Sequence, residues 1–102
     1  MSRVESSIQH DILAYLRGCD STYALNVGGN ASMAKGTPDI LGCHKGVFFA
    51  FEVKRPDGSY GVTKPQEIRL QQIAKAGGVA CSVTSVDDVA RVIRLIDERG
   101  RP

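Results

Sequence analysis

The sequence predicts an α/β domain: one small mixed sheet flanked by helices, in the order α-β-β-β-α-β-α. Three observations carry this. Apolar residues recur at helical spacing near both ends of the chain, behind Ser-headed helix starts. Between them, short apolar runs are bounded by Gly, Pro and Asp, the punctuation of strands. One of these runs, Val47 to Lys54, has the apolar density of a buried strand.

Taken in order, the first helix begins near Ser2 or Arg3, where Ser2-x-x-Glu5 reads as a capping box. Val4, Ile8, Ile12, Tyr15 and Leu16 form its apolar face, and Gly18 ends it. Thr22 to Val27 is the first strand, and Gly28 to Pro38 is a Gly-rich, partly basic loop. Asp39, Ile40 and Leu41 open the second strand. His44-Lys45-Gly46 makes a hairpin turn into Val47–Lys54. Arg55-Pro56-Asp57-Gly58 is turn chemistry. The second helix starts after Thr63, with Pro65 in its first turn, carries Ile68, Ile73 and Ala76, and ends at Gly77-Gly78. Val79 to Thr84 is a strand. Ser85 caps a last helix whose stripe of Val86, Val89, Val92, Ile93 and Ile96 is expected to face the core.

At 102 residues, 42% hydrophobic and 24% charged, the chain fits one domain, 1–102, and excludes a wholly disordered polymer. Its longest nearly unbroken apolar stretch, Gly46 to Phe51, is too short to span a bilayer. No basic-then-apolar leader opens it, so neither a membrane partner nor secretion is expected. Cys19, Cys43 and Cys81 are odd in number and widely spaced, which argues against a disulfide framework. A reducing compartment is expected, the cytoplasm of a bacterium or a phage-infected cell. With His10 and His44 the cysteines lack the close ligand pairs of a zinc site, and read as small apolar residues. The formal net charge is +2, with the excess in residues 41–80. A monomer covering a long nucleic-acid surface would be more basic; a surface shared between two subunits fits.

The chemistry concentrates in Phe48-Phe49-Ala50-Phe51-Glu52-Val53-Lys54. Residues i and i+2 of a strand share a side, so Glu52 and Lys54 emerge together. Charges beside a buried strand are costly unless paired or bound to a metal. A solvated ion pair at a sheet edge would also account for these two alone. A hairpin centred between Lys45 and Gly46 places Asp39 opposite Glu52. Facing carboxylates repel unless a cation lies between them. Mg²⁺ or Mn²⁺, a hard ion with oxygen ligands, satisfies both. Read alone, Asp39 could equally be a strand-start aspartate bonded to its own backbone. A lysine ammonium beside such an ion can orient a water and meet charge developing on a phosphate. The set suits hydrolysis of a phosphodiester.

Pro38-Asp39 followed by Glu52-Val53-Lys54 resembles the PD-(D/E)xK nuclease signature. Glu5 with Gln9, Gly36-Thr37-Pro38-Asp39, Phe51-Glu52-Val53-Lys54, Thr63-x-x-Gln66, Gly77-Gly78-Val79 and the Ser85-capped helix together resemble the VRR-NUC (virus-type replication-repair nuclease) group, in order, from residue 3 to about 97. The resemblance implies a restriction-endonuclease-like core of the stand-alone, minimal type. It implies Asp39 and Glu52 as metal ligands, with the Val53 carbonyl a third, and Lys54 as the catalytic lysine. Glu5 would complete the metal site directly or through water, and Gln66 would reach it from the second helix. Glu5 and Gln66 each stand three residues after a Ser or Thr, so each also fits a capping box. Gln9, one turn after Glu5, lines the site or is solvated.

Lys35, Lys45, Arg55 and Lys64 are candidate DNA phosphate contacts beside the site, and each fits a solvated charge as well. The Gly28–Met33 segment could close over DNA; it does not match a phosphate-binding glycine fingerprint. Minimal members of this group resemble Holliday-junction resolving enzymes and act as dimers, since a twofold pair of sites matches a junction's two strands. The expectation is therefore a Mg²⁺- or Mn²⁺-dependent endodeoxyribonuclease of DNA repair, selective for branched DNA, working as a homodimer without a small-molecule cofactor. Two other readings stay open: a flap nuclease or nickase without junction preference, and a catalytically silent DNA-binding module.

Overall fold

Seven elements run in the predicted order in the computed structural model, which describes residues 3–28, 34–58 and 61–99. They are α1 (Arg3–Arg17), β1 (Thr22–Asn26), β2 (Ile40–His44), β3 (Val47–Val53), α2 (Lys64–Lys75), β4 (Val79–Val83) and α3 (Val86–Arg99). The sheet order is β1-β2-β3-β4. β1 pairs with β2 and β2 with β3 antiparallel, while β3 and β4 pair parallel across α2. This is a small mixed sheet flanked by helices.

The hairpin register follows from its turn. Lys45 and Gly46 both take positive φ, 49° and 83°, the geometry of a two-residue type I′ loop. His44 therefore belongs to β2 rather than to the turn. Ile40 pairs with Phe51 and His44 with Val47, so the ladder is centred between Lys45 and Gly46 as expected. Regular pairing begins at Ile40, one residue after the expected start at Asp39.

One face of the sheet carries the core. Ile12, Leu13 and Leu16 of α1 and Val89 and Ile93 of α3 pack on Ala24, Ile40, Phe49, Phe51, Val53 and Val83. The Phe49 and Phe51 rings stack with centroids 5.0 Å apart. Each fully buried side chain of this kind contributes about 1.5–3 kcal/mol. The α1 face differs from its expected stripe: Leu13 and Gln9 are buried, whereas Val4 is 44% exposed. Burial runs from Gln9 to Leu16, so α1 packs on the sheet by its C-terminal half and its first turn stands clear. The Ser2 half of the expected capping box lies outside the described residues.

On the opposite face α2 lies chiefly along β4 and β3. α2 has no buried residue, and Ile68, expected on its core face, is 43% exposed. Its start is held by a complete capping box between Thr63 and Gln66, with Pro65 in the first turn. At its end, a Cβ on Gly78 would meet Ile73 at 2.9 Å and Phe48 at 3.1 Å, so Gly78 permits that contact.

The tightest strand contact is at Gly42. A Cβ there would lie 2.2 Å from the Tyr23 carbonyl oxygen and 2.5 Å from the Phe49 ring. Gly42→Ala is expected to cost about 3 kcal/mol or more, since neither neighbour can move without breaking β1–β2 pairing or the core. Urea unfolding of the variant checks this.

Two polar clusters fasten α3. His44, 3% exposed, sits between Thr22 Oγ1 at 2.6 Å and Asp97 Oδ1 at 2.7 Å. Lys45 Nζ lies 2.8 Å from the same Asp97 oxygen, and these two partners hold the Asp97 carboxyl below its ordinary range. At the other end, the Asp88 amide donates to Ser85 Oγ at 3.2 Å, while Asp88 Oδ2 accepts from the Thr84 amide at 2.9 Å and its hydroxyl at 3.1 Å. Arg91 pairs with the other carboxylate oxygen. The Thr84 backbone bond chiefly holds the Asp88 carboxyl below its ordinary range. A lowered folded pKa stabilises above the unfolded pKa and is lost as pH falls through the folded one. Asp88→Asn is expected to cost about 1 kcal/mol at pH 7 and to flatten the fall in Tm between pH 5 and pH 2. A thermal melt series reads both effects.

Candidate active site

Asp39 and Glu52 meet where β2 begins and β3 ends. Side chains alternate along β3, so Phe49, Phe51 and Val53 enter the core and Glu52 takes the other face, with Lys54 just beyond the strand. Asp39 is 7% exposed and Glu52 3%. Asp39 is fixed on both sides. Its Oδ2 accepts from the Val53 amide at 2.9 Å, and its carbonyl accepts from the Val27 and Gly28 amides at 2.8 and 3.1 Å. The backbone around Asp39 thus spans β1 and β3 at once.

Glu52 is less well satisfied. Its Oε1 is buried with no hydrogen-bond partner among the described residues, and Oε2 lies 4.0 Å from Lys54 Nζ. Burial first, then the neighbouring Asp39 carboxyl, push the Glu52 pKa up to about 9; Glu5 adds to the rise and Lys54 opposes it. An orphaned buried acceptor normally costs about 1–3 kcal/mol. Two buried carboxylates, an orphaned oxygen and the adjacent Val53 carbonyl form a hard-oxygen donor set that fits a divalent cation of the Mg²⁺ type. Among the described residues no three His, Cys, Asp or Glu side chains converge on one ion. Glu5 acts on Glu52 electrostatically from α1, a placement that suits contact through water.

Gln9, one turn along from Glu5, is 5% exposed and donates from Nε2 to Asn26 Oδ1 at 3.0 Å. A Cβ on Gly28 would meet Asp39 Oδ1 at 2.6 Å and Gln9 Nε2 at 3.1 Å. Gly28 is thus the gap through which α1 and the Asp39 carboxylate approach each other. Spacing from Glu5 pointed to Gln9, but no sequence signal marked Asn26 or Gly28. Lys54 donates its amide to the Val83 carbonyl at 2.9 Å. That bond extends the β3–β4 ladder by one residue and anchors the backbone under the ammonium.

Gln66 closes its capping box, with Oε1 accepting from the Thr63 amide at 2.9 Å. The first turn of α2 nevertheless adjoins the Asp39 segment: a Cβ on Gly36 would lie 2.5 Å from the Pro65 carbonyl, and Gly36 has φ of 84°. Lys35 and Lys64 border a common cavity there. Arg55 follows Lys54 out of the strand and bonds Asp57 at 3.0 Å. Lys45 is misplaced by the expectation that it lies beside the site. It occupies the hairpin tip, six residues and about 20 Å along β2 from Asp39, and pairs with Asp97. The physical reason is the hairpin itself, which sends its turn and its open ends to opposite edges of the sheet. The expected loop closure rests on 29–33, outside the described residues.

No protein-family model matches the sequence, and no curated protein matches it. Solved structures do. One described as "VRR_NUC domain protein" is 20% identical, with 93% of this chain and 88% of that chain covered at a TM-score of 0.66. Another, described as "VRR_NUC domain", is 21% identical, with 91% and 97% covered at a TM-score of 0.68. Coverage of both chains almost end to end means that the α-β-β-β-α-β-α core, rather than a shared fragment, is what matches. The chain has the fold of the VRR-NUC domain.

Proposed function

We propose that this protein is a metal-dependent DNA endonuclease that acts on branched DNA, such as Holliday junctions or flaps, as a homodimer in cytoplasmic DNA repair. The observation that carries the reading is the buried Glu52 Oε1, without a hydrogen-bond partner among the described residues, beside Asp39 and with the Lys54 ammonium on the same strand end. The likeness in fold to VRR-NUC domains supports it. Asp39, Glu52 and the Val53 carbonyl would hold Mg²⁺ or Mn²⁺, with Glu5 reaching it through water. When bound, the ion would polarise the scissile phosphate and lower the pKa of a nearby water.

The chain's own residues supply the rest. Lys54, 13% exposed at its side chain, keeps its ammonium at the mouth of the site. From there it donates to the attacking water and meets the negative charge that develops on the phosphate. The Val53 amide holds Asp39 in one rotamer, so the carboxylate needs no reorganisation as substrate arrives. Gln66 orders the start of α2 next to the Asp39 segment. The homodimer is part of the proposal because a junction has two symmetric strands to cut. Tyr23 at 67% exposure, on β1 beyond the cover of α2, and Phe48 at 44%, at the edge of that cover, are apolar area such a pairing could bury.

The test is cleavage of a four-way junction, a flap and a linear duplex of shared sequence at one salt concentration, with Mg²⁺, Mn²⁺ or EDTA. Cleavage with either metal and none in EDTA is expected, with junction or flap preferred. Cleavage undiminished in EDTA overturns the metal reading, and equal rates on all three substrates overturn branch selectivity. Light scattering on the same sample tests the dimer.

A further inference from the structure

A second concave feature lies between α2 and the segment that leads into Asp39. It is a cavity of about 530 Å³ lined by Lys35, Lys64, Pro65, Ile68, Arg69 and Gln72. Among the described residues its charged lining is three cations and no acid. Ile68, 43% exposed, and Pro65 give it an apolar floor. Cations around a small apolar floor match the two sides of a nucleotide, phosphate on one and sugar or base on the other.

Arg69 is the organised member of this set. Its Nε donates to the Lys35 carbonyl at 3.3 Å and its Nη1 donates to Gln72 Oε1 at 3.1 Å. A guanidinium has five N–H donors, so those two bonds hold it in place and leave donors for a phosphate. The Lys35 bond also ties α2 to the chain four residues before Asp39. Gly36 keeps that approach close, because only hydrogen fits against the Pro65 carbonyl. Four residues span at most about 14 Å. The cavity therefore lies within one strand's reach of the carboxylate site.

We propose that this cavity seats an unpaired stretch of the cut strand, close to the scissile bond, with Arg69 as a positioning residue for its phosphate. The inference rests on the nuclease reading and deepens it. A concavity of about 530 Å³ beside α2 has room for a nucleotide but not for the width of a duplex. The site would then favour DNA with a single-stranded flank, for a reason built into α2.

The test measures binding and turnover separately. Asp39→Asn protein, silent in cleavage under the nuclease reading, is titrated by fluorescence anisotropy with a duplex bearing a single-stranded flap and with a blunt duplex of the same sequence. Adding Arg69→Ala is expected to weaken flap binding about tenfold, to change blunt-duplex binding less than twofold, and to reduce the flap's salt slope by about one. Lys64→Ala gives the same pattern independently, should Arg69→Ala perturb the fold. In the otherwise wild-type enzyme, Arg69→Ala raises KM on the flap and leaves kcat unchanged. Equal losses on both DNAs, or none, overturn the cavity assignment. If wild-type protein cleaves but the Arg69 and Lys64 variants behave as wild type, the cavity reading fails alone. If no DNA is cut with either metal while flap binding still depends on Arg69, the nuclease reading fails alone. Absence of binding to either DNA overturns both.

Discussion

Asp39→Asn is expected to abolish metal-dependent cleavage, by at least about 10³-fold, in a protein that folds as well as wild type. The rate loss follows from the loss of one of two anionic ligands. The cation's stabilisation of transition-state charge is worth several kcal/mol, and each 1.36 kcal/mol is tenfold in rate. The unchanged fold follows from the geometry around Asp39. Its Oδ2 accepts from the buried Val53 amide, and asparagine retains an acceptor there while removing a charge from beside Glu52. Asp39→Ala should lose the same activity and also about 1–3 kcal/mol of stability, because the Val53 amide is left without its acceptor. Comparing rates and melting curves of the two variants separates the chemistry from the scaffold. An active Asp39→Asn protein overturns the assignment of Asp39.

The second large effect is on stability, and its sign is opposite to that of most core substitutions. Glu52 is raised to about 9 from an ordinary 4.5. Between those values the folded chain holds a proton that the unfolded chain has released, so stability falls as pH rises. At pH 7 the accumulated loss is on the order of 3 kcal/mol. Glu52→Gln removes the ionisation and keeps the shape. The variant is therefore expected to be inactive yet more stable, its Tm exceeding wild type by on the order of 10 °C at pH 7 to 8, with the gap closing toward pH 4. Mn²⁺ or Mg²⁺ should raise the wild-type Tm at pH 8 and leave that of Glu52→Gln nearly unmoved, because binding to the folded state alone stabilises it. A gap that does not vary with pH would show that Glu52 ionises freely. The proposal thus casts the site as a place where stability is surrendered to keep a buried carboxyl that a cation, on binding, would strip of its proton.

Much of this architecture was legible before any coordinates. The hairpin centring was: a midpoint between Lys45 and Gly46 follows from the turn residues and leads from the Ile40–Phe51 pair toward Asp39 and Glu52, although His44 belongs to β2 and not to the turn. The α3 stripe was, because Val89, Ile93 and Ile96 repeat at helical spacing and are buried. Other features were not. Gln9 is a polar residue on a helix, and only the arrival of β1's Asn26 and the gap at Gly28 account for its burial. Ile68 fits a core position by spacing, yet α2 rests on the sheet too lightly to bury it. Lys45 lies close to Glu52 in sequence and far from it in space, because a hairpin separates its tip from its ends.

What the sequence by itself determined is the order of elements and the centring of the hairpin that brings the two carboxylates together. Those depend on local backbone preference and strand periodicity, which are written in neighbouring residues. What only the tertiary structure decided is which charges share a surface: Lys45 with Asp97, Arg69 with the Lys35 backbone, and Glu52 with one buried oxygen that has no hydrogen-bond partner among the described residues. Those depend on contacts between segments far apart in the chain, and nothing in the spacing of neighbouring residues records them.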